Sequence, residues 1–341
     1  MEKIIVLGGK GGVGKSSISA ATAVLLSELL PNKKILLISF DMAHNLSDLF
    51  KLEIGNKVTS LTKNLWCIEP DANSYAKKYT KDLIEKMKTL TKQMPFVGRI
   101  PQIEKFIDTT FTADSIPLAL KNAMFFQKIL DAEDINTQDI QYDIIIADFP
   151  PTANMITLFE IPEDQVKVVL KYSLNFYNSI KGAIRNISKV WRNIVKPFDN
   201  NEERRELGKD IFNMIVELEK RGERISDLIH DIGSLRLVTI AEKPSFEEIK
   251  RARDLTQRYI KLEGVHINMI IPEPKECDFC NKIRTLQLNY TAEIKKEFKK
   301  LRIWQSNKLK DEPIGIEGLR TLAYEIYGDT VYAEDILNPK I

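Results

Sequence analysis

Ile4-Ile5-Val6-Leu7-Gly8-Gly9-Lys10-Gly11-Gly12-Val13-Gly14-Lys15-Ser16 is the stretch that decides the fold. Ile4–Leu7 is a short apolar run rich in β-formers and reads as a buried strand. Gly9 to Ser16 match G-x-x-x-x-G-K-[ST], and Ser17–Leu30 follows with a helical pattern. Strand, glycine loop and helix together form the context in which this pattern cradles phosphate. Glycines let successive backbone N–H groups curl around phosphate oxygens. The helix start adds partial positive charge. Lys15 can reach the β- and γ-phosphates of ATP, and the Ser16 hydroxyl can ligate Mg²⁺. Gly9, Lys10, Gly11, Gly12, Val13, Gly14, Lys15, Ser16 and Ser17 are therefore the candidate nucleotide-binding residues. The bland alternative, a glycine-rich turn matching by chance, does not account for the flanking strand and helix.

Lys10 is a second lysine, early in the loop. In one large class of such loops a lysine here crosses a dimer interface and touches the partner's nucleotide; otherwise it is a solvated loop lysine. Lys10, Lys15 and Asp48 are the candidate catalytic residues. Asp48 lies in Asp41-Met42-Ala43-His44-Asn45-Leu46-Ser47-Asp48, directly after the apolar run Ile35–Phe40. Carboxylates at strand C-terminal ends sit beside bound phosphates in α/β sheets. One could hold the Mg²⁺ shell and another orient the attacking water. Asp41 or Ser47 would serve equally well as a plain helix cap. Asp148 closes a further apolar strand, Asp143–Asp148, and suits the Mg²⁺ shell.

Outward from the loop, strand candidates recur at Leu65–Glu69, Leu235–Ala241, Val265–Ile271 and Leu301–Trp304, separated by helical patterns. Continuous apolar strands alternating with helices predict a doubly wound, mostly parallel α/β sheet. Two long helical stretches, about 71–133 and 171–231, interrupt the alternation. They read as insertions into a single domain spanning 1–341. The first is broken near Met94-Pro95 and Ile100-Pro101, and the second is densely charged around Asn200–Arg205.

Bulk properties narrow the classes. The 341 residues are 43% hydrophobic and 29% charged, which permits a core and does not suggest disorder. A net charge of +2 does not suggest a nucleic-acid partner. Three cysteines are too few for a disulfide scaffold. Neither a signal peptide nor an apolar run of about 18 residues is evident, and a cytoplasmic location is expected. Cys67 reads as core. Cys277-Asp278-Phe279-Cys280 offers two thiolates of the four that structural Zn²⁺ requires. A two-fold partner could supply the other two; a redox pair is the rival reading. His230 and His266 have no partner pattern and read as structural.

On these residues the chain resembles the arsenite-pump ATPase family, most of all its branch that targets tail-anchored membrane proteins, archaeal forms included. The family's first switch, D-P-A-H-[NS]-L-S-D, is matched by Asp41 to Asp48. Its second, D-T-A-P-T-G-H-T, is matched by Asp148-Phe149-Pro150-Pro151-Thr152-Ala153-Asn154-Met155. Its strand Asn, P-E and C-x-x-C are matched by Asn268, Pro272-Glu273 and Cys277 to Cys280. The likeness runs from Met1 to about Arg320. It implies that Asp48 polarises the attacking water, Asp148 is the Walker-B-type aspartate, Asn268 contacts adenine, and Lys10 reaches across a homodimer. Met42 stands where the family has Pro, and Ala153-Asn154 where it has Gly-His; both exchanges bear on how hydrolysis couples to shape change.

A targeting factor must shield an apolar helix of about 20 residues. The insertions carry Met87, Met94, Phe96, Met124, Phe125, Phe126, Trp191, Phe198, Phe212 and Met214, which could line a groove or simply pack. The leading expectation is a dimeric ATPase that binds ATP, Mg²⁺ and Zn²⁺ and delivers hydrophobic C-terminal helices to a membrane, with a receptor there possible. The alternatives are a metalloid efflux pump subunit, a septum- or partition-type positioning ATPase, and a chaperone that holds clients without delivering them. Pumps usually carry two ATPase halves and extra cysteines. The chain's end, Tyr332 to Ile341, lacks the basic amphipathic helix of positioning ATPases.

Overall fold

The computed structural model describes residues 1–40, 45–70, 81, 85, 89, 141–149, 227–273 and 276–340. The chain divides into two units. One comprises Met1–Asp71, Lys128–Phe159 and Ile225–Ile341; the other comprises Ala72–Gln127 and Glu160–Arg224. The second lies outside the described residues except for Lys81, Glu85 and Thr89. The expected insertions lie outside them too, apart from those three residues and 227–231, and so do all the side chains expected to line a groove.

The first unit is built on an eight-stranded sheet. Its strands are β1 (Lys3–Gly9), β2 (Ile35–Ser39), β3 (Thr59–Ser60), β4 (Leu65–Ile68), β5 (Ile144–Asp148), β6 (Gly233–Ile240), β7 (Lys261–Ile270) and β8 (Arg302–Asn307). The order is β3-β4-β2-β5-β1-β6-β7-β8, and every neighbouring pair is parallel except β3–β4. β2 and β5 are buried along their whole length, as their unbroken apolar runs require when helices cover both faces.

Helices α1 (Lys15–Leu29), α2 (Asn45–Phe50), α5 (Gly315–Tyr327) and α6 (Ala333–Leu337) pack together. Helices α3 (Lys243–Thr256) and α4 (Asp278–Glu297) pack on each other and on β6 and β7. Right-handed crossovers explain the two layers. From β1 the chain steps over β5 towards β2, whereas from β6 it steps the other way to β7. α1 and α3 are thus thrown onto opposite faces. The crevice between the ends of β1 and β6 is the topological switch point, where open α/β sheets bind ligands.

α1 is buried over most of its surface, from Ile18 through Ser27. Its polar residues stay satisfied inside: Ser19 donates to the Lys15 carbonyl (2.9 Å) and Thr22 to that of Ile18 (2.7 Å). Ile18, Val24, Leu25 and Leu26 pack with Ile5, Leu7, Leu37 and Ile146 in the core. Truncating any one of these core side chains to Ala would cost about 2–5 kcal/mol.

The sheet differs from expectation in its polar parts. β3 was not expected; it is a two-residue antiparallel edge, too short for a period. β7 begins at Lys261 rather than Val265, and β8 runs on to Asn307. Most of those added residues are polar, and some of them bury with a partner. Glu263 accepts from Lys3 (2.8 Å) and Arg236 (3.0 Å). His266, expected to be structural, is buried and stacked on Trp304 at 4.5 Å.

Candidate functional site

The glycine loop joins β1 to α1 at that switch point. Gly12 and Gly14 have φ of +78° and +88°, a region that costs side-chain-bearing residues strain. A Cβ on Gly9 would lie 2.1 Å from the Val238 carbonyl oxygen, and one on Gly14 would lie 2.4 Å from Asn268 Nδ2. The loop is thus pressed against β6 and β7, with no room for side chains on that side. At the other side the first turn of α1 contains no acidic residue, and its N-cap, Gly14, supplies no side-chain acceptor. That arrangement suits an external anion. Lys10 and Gly11 are exposed and Lys15 is buried. The Lys15 ammonium donates to the Lys10 carbonyl at 3.2 Å.

Beneath the loop, oxygen ligands gather. Asp148, fully buried at the end of β5, accepts from the hydroxyls of Ser16 (2.6 Å) and Ser39 (3.2 Å). A carboxylate and hydroxyls are the hard donors that Mg²⁺ takes. Ser39 was not singled out from sequence. It closes β2 as Asp148 closes β5, and the two residues are paired in register.

Asp48 lies exposed in the first turn of α2. Asp41, His44 and the second switch from Pro150 onward lie outside the described residues. Glu69, buried at the end of β4, takes the N-terminus of α2. Its carboxylate accepts from Leu46 N (2.7 Å), Ser47 N (3.3 Å) and Ser47 Oγ (3.1 Å). Glu69 too was missed, although it is an acidic residue closing an apolar run.

Asn268 sits behind the loop. Its Nδ2 donates to the Val13 carbonyl (2.9 Å) and its Oδ1 accepts from Ser306 Oγ (2.8 Å).

Cys277 is the N-cap of α4, and its sulfur accepts from the backbone N–H of Cys280 at 3.3 Å. The Cys280 thiol and then backbone N–H groups lower the Cys277 pKa; donation to Cys277 raises that of Cys280. Cys67 is fully buried, and burial, helped by Glu69, pushes its thiol up to about 12.

A model of the family described as "Anion-transporting ATPase" matches residues 2–328. The chain belongs to this ATPase family. Among its relatives, a protein of Prosthecochloris vibrioformis named as an arsenical pump-driving ATPase is 27% identical over 96% of this chain and 76% of its own length. One of Aquifex aeolicus with the same type of name is 28% identical over 93% of this chain and 97% of its own. "ATPase GET3" of Debaryomyces hansenii is 26% identical over 93% of this chain and 88% of its own. With the family comes the reaction: the chain hydrolyses ATP. Among the described residues no helix is long and apolar enough to cross a membrane.

Proposed function

We propose that this member of the family is a cytoplasmic homodimeric targeting ATPase that shields the C-terminal membrane helices of client proteins and delivers them to a membrane receptor. The loop Gly9 to Ser17 holds the triphosphate, with Lys15 on its outer phosphates. Ser16 ligates Mg²⁺, while Asp148 and Asp41 hold the ion's shell. Mg²⁺ when bound neutralises charge on the phosphates. Asp48 orients the attacking water, and Asn268 lies on the nucleotide. Lys10 reaches the partner's nucleotide, and the insertions 71–133 and 171–231 cover the client.

The observation that carries the choice of targeting over metalloid transport is Cys67. Its thiol is fully buried inside the sheet, out of reach of a metalloid from solvent, which leaves only the C-x-x-C pair. Cys277 and Cys280 are read as half of a four-thiolate Zn²⁺ site. Among the described residues no third His, Cys, Asp or Glu gathers with them, so a second copy would complete it. The exposed side chains Phe279 and Leu286, with Ile283 and Tyr290 at helical spacing on α4, support a partner at this end.

Metalloid transport stays as the second reading because several relatives carry pump names. The test is to co-express Asp48→Asn with a protein bearing one C-terminal membrane helix and purify through the ATPase. A soluble complex that disappears when the client helix is deleted is expected. Absence of any complex, with arsenite-stimulated turnover in the unaltered chain, would overturn targeting in favour of the pump.

A further inference from the structure

β7 breaks its ladder at the point where Asn268 faces the glycine loop. Ile267 pairs with Gln305 and Ile270 with Asn307, so β7 spends one residue more than β8 across this step. The extra residue makes a bulge, and Met269 within it has φ +58°, a left-handed conformation uncommon for a side-chain-bearing residue. Such strain persists only where the surroundings hold it. Gln287 of α4, buried against the bulge, does so: its Nε2 donates to the Met269 carbonyl (3.1 Å) and its Oε1 accepts from Ile271 N (2.8 Å).

The bulge presents a buried amide with both ends engaged. If the amide were flipped, Asn268 Oδ1 would face the Val13 carbonyl oxygen, acceptor against acceptor. Val13 O therefore fixes which end points at the loop, and the Ser306 hydroxyl holds the other end. In a trans peptide the C=O and the following N–H point opposite ways. Drawing the Val13 carbonyl towards β7 turns the Gly14 N–H off the body of the sheet.

We propose that Asn268 and Ser306 are positioning residues that set the Val13–Gly14 peptide for phosphate, so that they control affinity for the polyphosphate. The proposal rests on assigning the Gly9–Ser16 loop to the triphosphate. Asn268→Ala, Ser306→Ala and Lys15→Ala are compared with the unaltered chain for ATP hydrolysis and for inhibition by inorganic tripolyphosphate with Mg²⁺. Loss of one hydrogen bond that leaves a buried carbonyl unmatched corresponds to roughly a tenfold loss of affinity. Asn268→Ala is expected to raise the KM for ATP and the inhibition constant of tripolyphosphate by that same factor. kcat is expected to change less than twofold, because the contact serves ground and transition states alike. Ser306→Ala should move both constants in the same direction by a smaller factor, and it serves as the test if Asn268→Ala does not fold.

A loss confined to ATP, with tripolyphosphate inhibition unchanged, would make Asn268 a contact to the base and overturn the proposal. An unchanged KM in Ser306→Ala would overturn it as well. If instead Lys15→Ala leaves both constants intact, the loop assignment itself fails, an outcome distinct from failure of the clamp alone.

Discussion

Gly9 and Gly12 lie in the same loop and resist substitution for different reasons. A methyl group on Gly9 meets the Val238 backbone 2.1 Å away, and neither backbone is the end of a flexible side chain. Gly9→Ala must therefore push β1 from β6, an overpacking that costs about 1–3 kcal/mol. A methyl on Gly12 meets nothing within 4 Å, and its cost is the left-handed φ alone, about 1 kcal/mol. Thermal unfolding is expected to place Gly9→Ala below Gly12→Ala, with nucleotide binding weakened in both. The reverse order of melting temperatures would mean that the loop does not lean on β6 as described.

α2 shows the same dependence at the level of an element. Six residues cannot hold a helix by themselves in water. Its start is held from outside by the Glu69 carboxylate, which also suits the positive end of the helix. Ser47 ties it further, its hydroxyl oxygen accepting from Ile54 N at 3.1 Å. Glu69→Ala removes the acceptor for two backbone N–H groups, one of them buried. It is expected to cost about 1–3 kcal/mol in urea unfolding. Because α2 carries Asp48, kcat is expected to fall more than the KM for ATP rises; equal hydrolysis at saturating ATP would detach α2 from the reaction. What was legible in the sequence follows from this. Ile4–Leu7, Ile35–Ser39 and Ile144–Asp148 announce themselves because both faces of each strand are apolar. The loop announces itself because only glycine fits it. Ser39, Glu69 and Ser306 did not, because a lone polar residue reads as surface until the partner that buries it, often far along the chain, is known. The Met269 bulge was hidden for a related reason: nothing in His266-Ile267-Asn268-Met269-Ile270 marks one residue as extra.

At the scale of the whole unit, the chain's two ends meet on one buried guanidinium. Arg236, fully buried in β6, donates to Glu263 of β7 and to the Ile336 carbonyl of α6, and lies 4.8 Å over the Trp304 ring of β8. Glu263 also takes Lys3 of β1, so elements from both termini share one charge network. Burial would raise the Glu263 pKa, but the charges of Arg236 and Lys3 outweigh it and hold the carboxyl below its ordinary 4.5. A depressed carboxyl contributes stability that is fully present above the unfolded value of 4.5 and is lost as pH falls through the lower, folded value. Glu263→Gln leaves Arg236 buried without its counter-charge, a loss on the order of 3–5 kcal/mol at neutral pH. The deficit is expected to shrink as pH falls below 4.5, where the unfolded chain's carboxyl takes up a proton, and to vanish once pH passes the lower, folded value. Replacing both partners by apolar residues, Arg236→Met with Glu263→Leu, is expected to recover most of the loss, because burying two charges is itself costly. Urea unfolding of the single and double variants at pH 7 and pH 4 checks this. A Glu263→Gln deficit that stays constant between the two pH values would mean that the carboxylate charge is not what holds α6 to the sheet.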